Sequence, residues 1–413
     1  MISTKSDSEL GPELMTIRGF QWIYGIKEDP YALLLRAEDG DPRELGARVR
    51  ERGRLFRSSA EVWVTAHHET ATAVLADADF TVTPPPPPPE AGPDEWRIPG
   101  PHEVLPLDEV FLTLDRGAYK RLTRVVRDGI GAHFRTAATE AAEAAATRQA
   151  GGFDLLHDFA LDVAVDALAA HLDVPAAARD RFARACAGCL PALDATLCPP
   201  RTPTARKLIM SAEELRTLCA ELVSDRRDAP RSDLSSTIGP DGELAAAVLL
   251  GAAGVEVASV LICGTVSALL DDPAQWTLVR DDPARAGDAV REALRYASPI
   301  RMVRLFARRA VELAGQPVEE GEEVVVLTGA TGHDPEAYAD PERFDLNRRP
   351  SPMPPAYRDD LYGGALACFA VPAAEAAVAA LAAHAPGLRR GGDAFRRLRS
   401  PVTGGMLSLP VVP

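Results

Sequence analysis

Apolar residues recur at helical spacing through most of the chain and at strand spacing in only a few short runs. Helical patterns cover His68 to Asp79, Arg116 to Ala150 and Leu155 to Leu172. Asp173-Val174-Pro175 breaks the pattern, and two more helical stretches fall between Pro175 and Asp228. Residues 229–242, rich in Asp, Pro, Ser and Gly, read as a loop. A long apolar helix follows from about Gly242 to Leu270, stopped by Asp271-Asp272-Pro273. Another runs from Pro283 to Tyr296 and ends before Ser298-Pro299, and the last spans Val371 to His384. Strand-like runs are Val62 to Val64, Val303 to Phe306, Val311 to Leu313 and Glu323 to Thr328. Residues 11–60 mix short helical patterns with turn signals, and there is no internal repeat. The expectation is one mainly α domain (α+β) over residues 1–413, with many helices, a small β region and a Pro-rich loop near 83–94. Within that loop, Pro84 to Pro89 are consecutive prolines, which force extended polyproline II: a surface loop, or a docking segment for a proline-binding module.

Composition narrows the function classes. The chain has 413 residues, 46% of them hydrophobic, enough for a large core. A formal net charge of -15 argues against nucleic acid and against anionic membrane surfaces. Glu256 interrupts the apolar stretch Leu244 to Leu270, so that stretch reads as a buried helix rather than a membrane span. Met1 to Leu10 is polar and carries no apolar export segment, which implies a cytoplasmic protein with reduced cysteines. Cys186 and Cys189 form a CxxC, but no second pair and no nearby His completes a zinc set; small buried helix residues are the plainer reading. GxSxG, HExxH, P-loop and strand-linked GxGxxG motifs are absent from the sequence. His67-His68 reads as a surface turn before a helix.

Several landmarks fall in a familiar order. Glu292-Ala-Leu-Arg295 is an ExxR whose spacing puts both side chains on one helix face. His333-Asp334-Pro335, Asp340-Pro-Glu-Arg-Phe344 and Arg348 follow, while Ala253-Gly-Val-Glu256 lies in the long central helix and Cys368 before the last one. Over roughly residues 115–385 the chain resembles the cytochrome P-450 family. The resemblance implies that fold, a structural network of Glu292, Arg295 and Arg348, and a haem ligated by Cys368 if haem is bound at all.

The departures fall on the haem. The family follows AGxE with a Thr that helps deliver protons to bound oxygen; here stands Val257, which can neither donate nor accept a hydrogen bond. Of the family's cysteine loop, F-G-x-G-x-H-x-C-x-G, the segment Leu361 to Ala370 keeps Gly364 and Cys368, with Tyr362 and Ala370 in place of glycines. The four positions that pair the haem propionates in the family read Tyr119, Thr123, Leu305 and Leu366, with Lys120, Arg124 and Arg304 as the nearest substitutes. Hydrogen bonds to charged groups contribute about 1.5–3 kcal/mol each, so their loss removes several kcal/mol from haem affinity. Cys368 is then either a surviving thiolate ligand or a relic packed as a small core residue.

A sharper resemblance lies in Met15 to Gly25, Asp29 to Leu35, Glu61 to Ala66, Val74 to Phe80 and Arg396 to Pro401. These segments are similar to the cytochrome P-450-like auxiliary proteins of antibiotic deoxysugar glycosyltransferases, the kind that partner the erythromycin desosamine transferase. That resemblance implies a non-catalytic, haem-free activator in a heteromeric complex with a TDP-sugar glycosyltransferase of a macrolide or anthracycline-type pathway. Two alternatives stay open: a degenerate haem-thiolate monooxygenase acting on a natural product, and a small-molecule carrier using the vacated haem pocket. Phe20, Trp22 and Tyr24 have two possible fates, partner contact or core packing.

Overall fold

The computed structural model describes residues 5–26, 28–37, 40–85, 98–149, 151–228, 240–349 and 353–413. Residues Asp7–Ile26 form one helix, α1, where the sequence suggested only short pieces. Pro12 lies in it, and its buried face (Leu10, Leu14, Ile17, Gln21, Gly25) carries the helix despite weak local propensity. Asp29 caps α2 (Pro30–Arg36), accepting from the backbone N–H groups of Tyr31 and Ala32, with Pro30 at the first helical position. Helices α3 (Pro42–Glu51) and α4 (His68–Ala76) follow, flanking β1 (Phe56–Arg57) and β2 (Trp63–Thr65). The latter is the Val62 to Val64 run shifted by one residue.

After β3 (Phe80–Thr81), most of the Pro-rich loop near 83–94 lies outside the described residues. The helix expected over Arg116 to Ala150 is two: α5 (Arg116–Gly129), capped by Asp115, and α6 (Ala132–Thr147). Gly131, extended at φ -95° and ψ -153°, separates them. Strand β4 (Phe153–Asp154) precedes α7 (Leu161–His171), and α8 (Arg179–Cys189) and α9 (Thr202–Asp228) fill the region up to Asp228. The loop expected at 229–242 lies mostly outside the described residues, and the helix begins at Pro240, not Gly242.

That long helix runs as α10 (Pro240–Leu249), a wider π turn (Leu250–Gly254) and α11 (Val255–Asp271). Its most apolar stretch is wholly buried. Asp272 stops it and caps α12 (Pro273–Asp281), and α13 (Ala286–Tyr296) follows. The β region then comprises β5 (Val303–Ala307), β6 (Val311–Leu313), β7 (Gln316–Val318) and β8 (Glu323–Val326). The main sheet has the order β1-β2-β8-β5-β3, with β2 and β8 parallel and the other pairs antiparallel.

The last helix, α14, spans Tyr362–His384, nine residues earlier than the start expected at Val371. The C-terminal strands β9 (Arg389–Arg390), β10 (Phe395–Arg396), β11 (Met406–Ser408) and β12 (Pro410–Val412) were not anticipated. They form the hairpin β10-β11 and the small sheet β4-β12-β9. At the centre, α14 packs against α5, α6, α11 and α13. This is the cytochrome P-450 fold, mainly α with a small β region.

Candidate functional site

On α13, Glu292 and Arg295 stand three residues apart and face inward, both nearly inaccessible. Arg295 Nη2 donates to Glu292 Oε1 at 2.6 Å and Nε to Oε2 at 3.1 Å. Arg348 completes the group, its Nε donating to Glu292 Oε1 at 3.0 Å. The remaining donors bind backbone: Arg295 Nη1 reaches the carbonyls of Gly332 and Pro341, and Arg348 those of Ala339, Asp340 and Arg343. Three side chains thus tie the irregular segment 332–348 to α13. His333 adds a contact at each ring nitrogen, to Tyr296 O at 2.9 Å and Glu342 Oε1 at 3.1 Å.

The cysteine segment does not form a loop. From Tyr362 onward it is the first turns of α14. Tyr362 and Ala370 stand where flexible glycines would have opened the backbone, and Ala365, Leu366 and Ala367 between them are helix-compatible. Gly364 has a different use here: a Cβ at that position would lie 2.3 Å from the carbonyl oxygen of Arg358, so the glycine lets the preceding segment press on the helix start.

Leu366 and Phe369 are fully buried, and Phe369 turns toward the central helix. Its Cδ1 would stand 3.2 Å from a Cβ built on Gly254, so the π turn and α14 touch. The Phe369 ring also meets Phe134 at a centroid distance of 5.4 Å, and Tyr362 meets Tyr119 edge-on at 6.1 Å. Cys368 sits one residue, about 100° of helix rotation, from Phe369. Its thiol lies instead beside the guanidinium of Arg127, which pairs with Asp359, Nη1 to Oδ2 at 2.9 Å. Burial pushes the thiol pKa up against the pull of Arg127, so the sulfur is held as a thiol at neutral pH.

The expected propionate positions are equally changed. Tyr119 is buried and spends its hydroxyl on backbone, donating to Phe111 O at 2.9 Å and accepting from Leu114 N–H. Thr123 is buried, and its hydroxyl has no hydrogen-bond partner among the described residues. Leu305 is fully buried on β5. Of the substitutes, Lys120 and Arg124 are exposed on the outer face of α5, and Arg304 is directed to Glu323, 3.7 Å away, and to the face of Phe306. These residues do not fit a porphyrin ligated by Cys368. The thiol is turned off the inner face, and apolar side chains of α14 contact the π turn directly.

Glu256, the acid of the AGxE segment, is also taken. It is buried with Asp194, and both carboxylates contact Arg397 Nη2, the Asp194 oxygen at 3.2 Å. Thr403 Oγ1 donates to the pair, 2.9 Å from Asp194 Oδ2, while the N–H groups of Val402 and Thr403 bind Asp194 Oδ1. Burial raises the Glu256 pKa, Arg397 opposes it, and the Asp194 charge adds to the rise. Sequence reasoning placed Arg397 in a family-like segment without assigning it a partner, and passed over Asp194. Nothing local links residues 203 positions apart. Val257 is buried one step further along α11.

Two smaller readings concern the aromatic residues of α1 and the CxxC pair. Trp22 is 49% exposed rather than core, with Arg36 4.6 Å over its ring, while Phe20 and Tyr24 are half-buried with ring centroids 6.0 Å apart. Cys186 and Cys189 are buried free thiols, Cys189 pushed up to about 12 by burial, and no group able to hold a metal occurs among the described residues.

Comparison with known proteins agrees with this architecture. The family model described as Cytochrome P450 matches residues 287–350. Protein AknT of Streptomyces galilaeus is 38% identical, over 98% of this chain and 96% of its own. Protein DesVIII of Streptomyces venezuelae is 37% identical, over 98% and 94%. Cytochrome P450 family protein EryCII of Saccharopolyspora erythraea is 30% identical, over 99% of both chains. Among solved structures, ligand-free CYP164A2 of Mycobacterium smegmatis superposes with a TM-score of 0.76 at 22% identity, covering 93% of this chain and 99% of its own. Epothilone D-bound P450epoK gives 0.75 at 24%, covering 90% and 96%, and at these identities both speak for the fold alone. The chain belongs to the cytochrome P-450-like auxiliary proteins of antibiotic deoxysugar glycosyltransferases, the family of AknT, DesVIII and EryCII.

Proposed function

We propose that this protein is a haem-free, non-catalytic activator that binds and stabilises a TDP-deoxysugar glycosyltransferase of a macrolide or anthracycline-type pathway, in the cytoplasm. The observation that carries the reading is α14. The helix continues through the cysteine segment, packs Phe369 on the π turn and turns Cys368 toward Arg127. The buried, uncharged propionate positions and the Arg397-bound Glu256 support it, because both remove groups that a monooxygenase would use. A scaffold without chemistry of its own acts through binding: by associating with the folded, competent transferase alone, it shifts that partner's equilibrium.

The test is expression with a haem precursor, followed by an absorption spectrum and a transferase assay. The expected result is a colourless protein that raises the turnover of a co-expressed deoxysugar transferase. A stoichiometric, thiolate-ligated haem, or a transferase equally active without the chain, overturns the reading.

A further inference from the structure

A cavity of about 280 Å3 opens between α2, α3, the end of α13, residues 297–302, the turn after β8 and the C-terminal stretch 396–404. It is separate from the α11–α14 contact. One wall is apolar, built from Leu33, Leu34, Leu45, Met302 and Leu327, and four arginines, Arg43, Arg301, Arg396 and Arg397, reach it as well. In an acidic protein that concentration of positive charge is unusual, and three of the four have protein partners, Arg397 in Asp194 and Glu256. Arg43 lies 4.2 Å over the Tyr296 ring and pairs with Glu342 at 3.4 Å. Arg396 Nη1 donates to Gly404 O at 3.1 Å.

Arg301 is different. Its backbone N–H donates to Val402 O, but no described residue accepts a hydrogen bond from its guanidinium or pairs with it as an ion. The guanidinium rests against Gly404, at φ +59°, where a Cβ would stand 2.0 Å from Cζ. The acids around it are engaged elsewhere. Asp194 accepts from Ser400, Thr403, Arg397 and two backbone N–H groups, and Asp41 is exposed and caps α3 through the Arg43 N–H. Burial and then the neighbouring charges of Arg396 and Arg43 push the Arg301 pKa down, against the pull of Asp194 and Asp41. A guanidinium keeps its proton, so the charge remains and lacks a counter-charge. Arg301 is half-buried and lines the cavity, where an anion can meet its guanidinium.

We propose that this cavity binds a small amphiphilic carboxylate, its head paired with the Arg301 guanidinium and its apolar body against Leu33, Leu34, Leu45 and Met302. The fork of a guanidinium matches a carboxylate in two parallel hydrogen bonds. The volume lies just below the ~300–1,000 Å3 usual for ligand sites, which suits a compact acid and not a sugar nucleotide or a macrolide. The proposal stands independently of the role in glycosylation.

Calorimetric titration of the full chain at neutral pH tests it, with octanoate, octanol and inorganic phosphate as probes. Octanoate binds one to one. Octanol has the same body without the charge and phosphate the charge without the body, and each binds roughly tenfold or more weakly. R301M, which removes the charge at similar volume, melts no lower than the parent and loses roughly tenfold or more in octanoate affinity. R396Q, at the exposed rim, loses less. Equal binding of octanol or phosphate and octanoate, absence of octanoate binding, or unchanged octanoate affinity in R301M overturns the proposal. If R301M fails to fold, the octanoate-to-octanol ratio on the unaltered chain decides alone.

Discussion

Arg397 holds together two carboxylates that would otherwise repel each other in the interior. Asp194 and Glu256 are both nearly inaccessible, and one guanidinium nitrogen contacts the two. Removing it leaves uncompensated buried charge, so R397M should lose about 3–5 kcal/mol in urea unfolding at pH 7. The deficit has a definite pH dependence. The Glu256 pKa in the folded protein already stands above its ordinary value of 4.5, and loss of Arg397 raises it further. The folded variant therefore takes up its proton first as pH falls, and the gap to the parent should narrow between pH 7 and pH 5; a constant gap contradicts this account. Cys368 makes the opposite prediction. Its thiol touches Arg127 at the margin of the core, so C368A should cost no more than about 1 kcal/mol and leave transferase activation unchanged in a coupled assay. At this scale the sequence was legible where a donor was replaced, as at Val257, Leu305 and Leu366, because a missing donor can be read without coordinates. It was illegible where distant residues had been recruited, as Arg397 and Asp194 were.

Among the elements, α13 and α14 differ in how openly the sequence declared them. The Glu292–Arg295 pair on α13 is local, three residues apart, and its strands and meander follow in order. The pair is buried, so E292L strands Arg295 and Arg348 without their carboxylate and R295M leaves Glu292 with Arg348 alone: each should lose about 3–5 kcal/mol in stability. The double variant should lose less than the sum, measured by thermal and denaturant unfolding, because it leaves Arg348 alone without its carboxylate and strands neither member of the buried pair. The start of α14 was written in the same residues that the family pattern marks as eroded. Replacing glycines by Tyr362 and Ala370 removes the loop and raises helix propensity at once, and the second consequence went unread. Helix α1 failed for the reverse reason. Its glycines and Pro12 argue against a helix locally, and only the burial of Leu10, Leu14 and Ile17 sustains it.

For the whole molecule, the fold followed from an ordered set of motifs, while the C-terminal strands, two or three residues each, were too short for any periodicity to register. The proposed role makes the molecule a ligand of another protein, with a calculable effect. At a concentration a hundredfold above its Kd, it should stabilise the transferase by about 2.7 kcal/mol. Thermal inactivation of the transferase measured against added chain checks this, and protection that does not saturate contradicts a specific complex.

The contact of Phe369 with the π turn bears on how such a protein is made in the cell. Under the proposed haem-free role, a centre completed by its own side chains needs no delivery of metal or tetrapyrrole before it can close. Its folding yield should therefore be indifferent to iron supply, and a producing culture starved of iron would lose its oxygenases while keeping this protein.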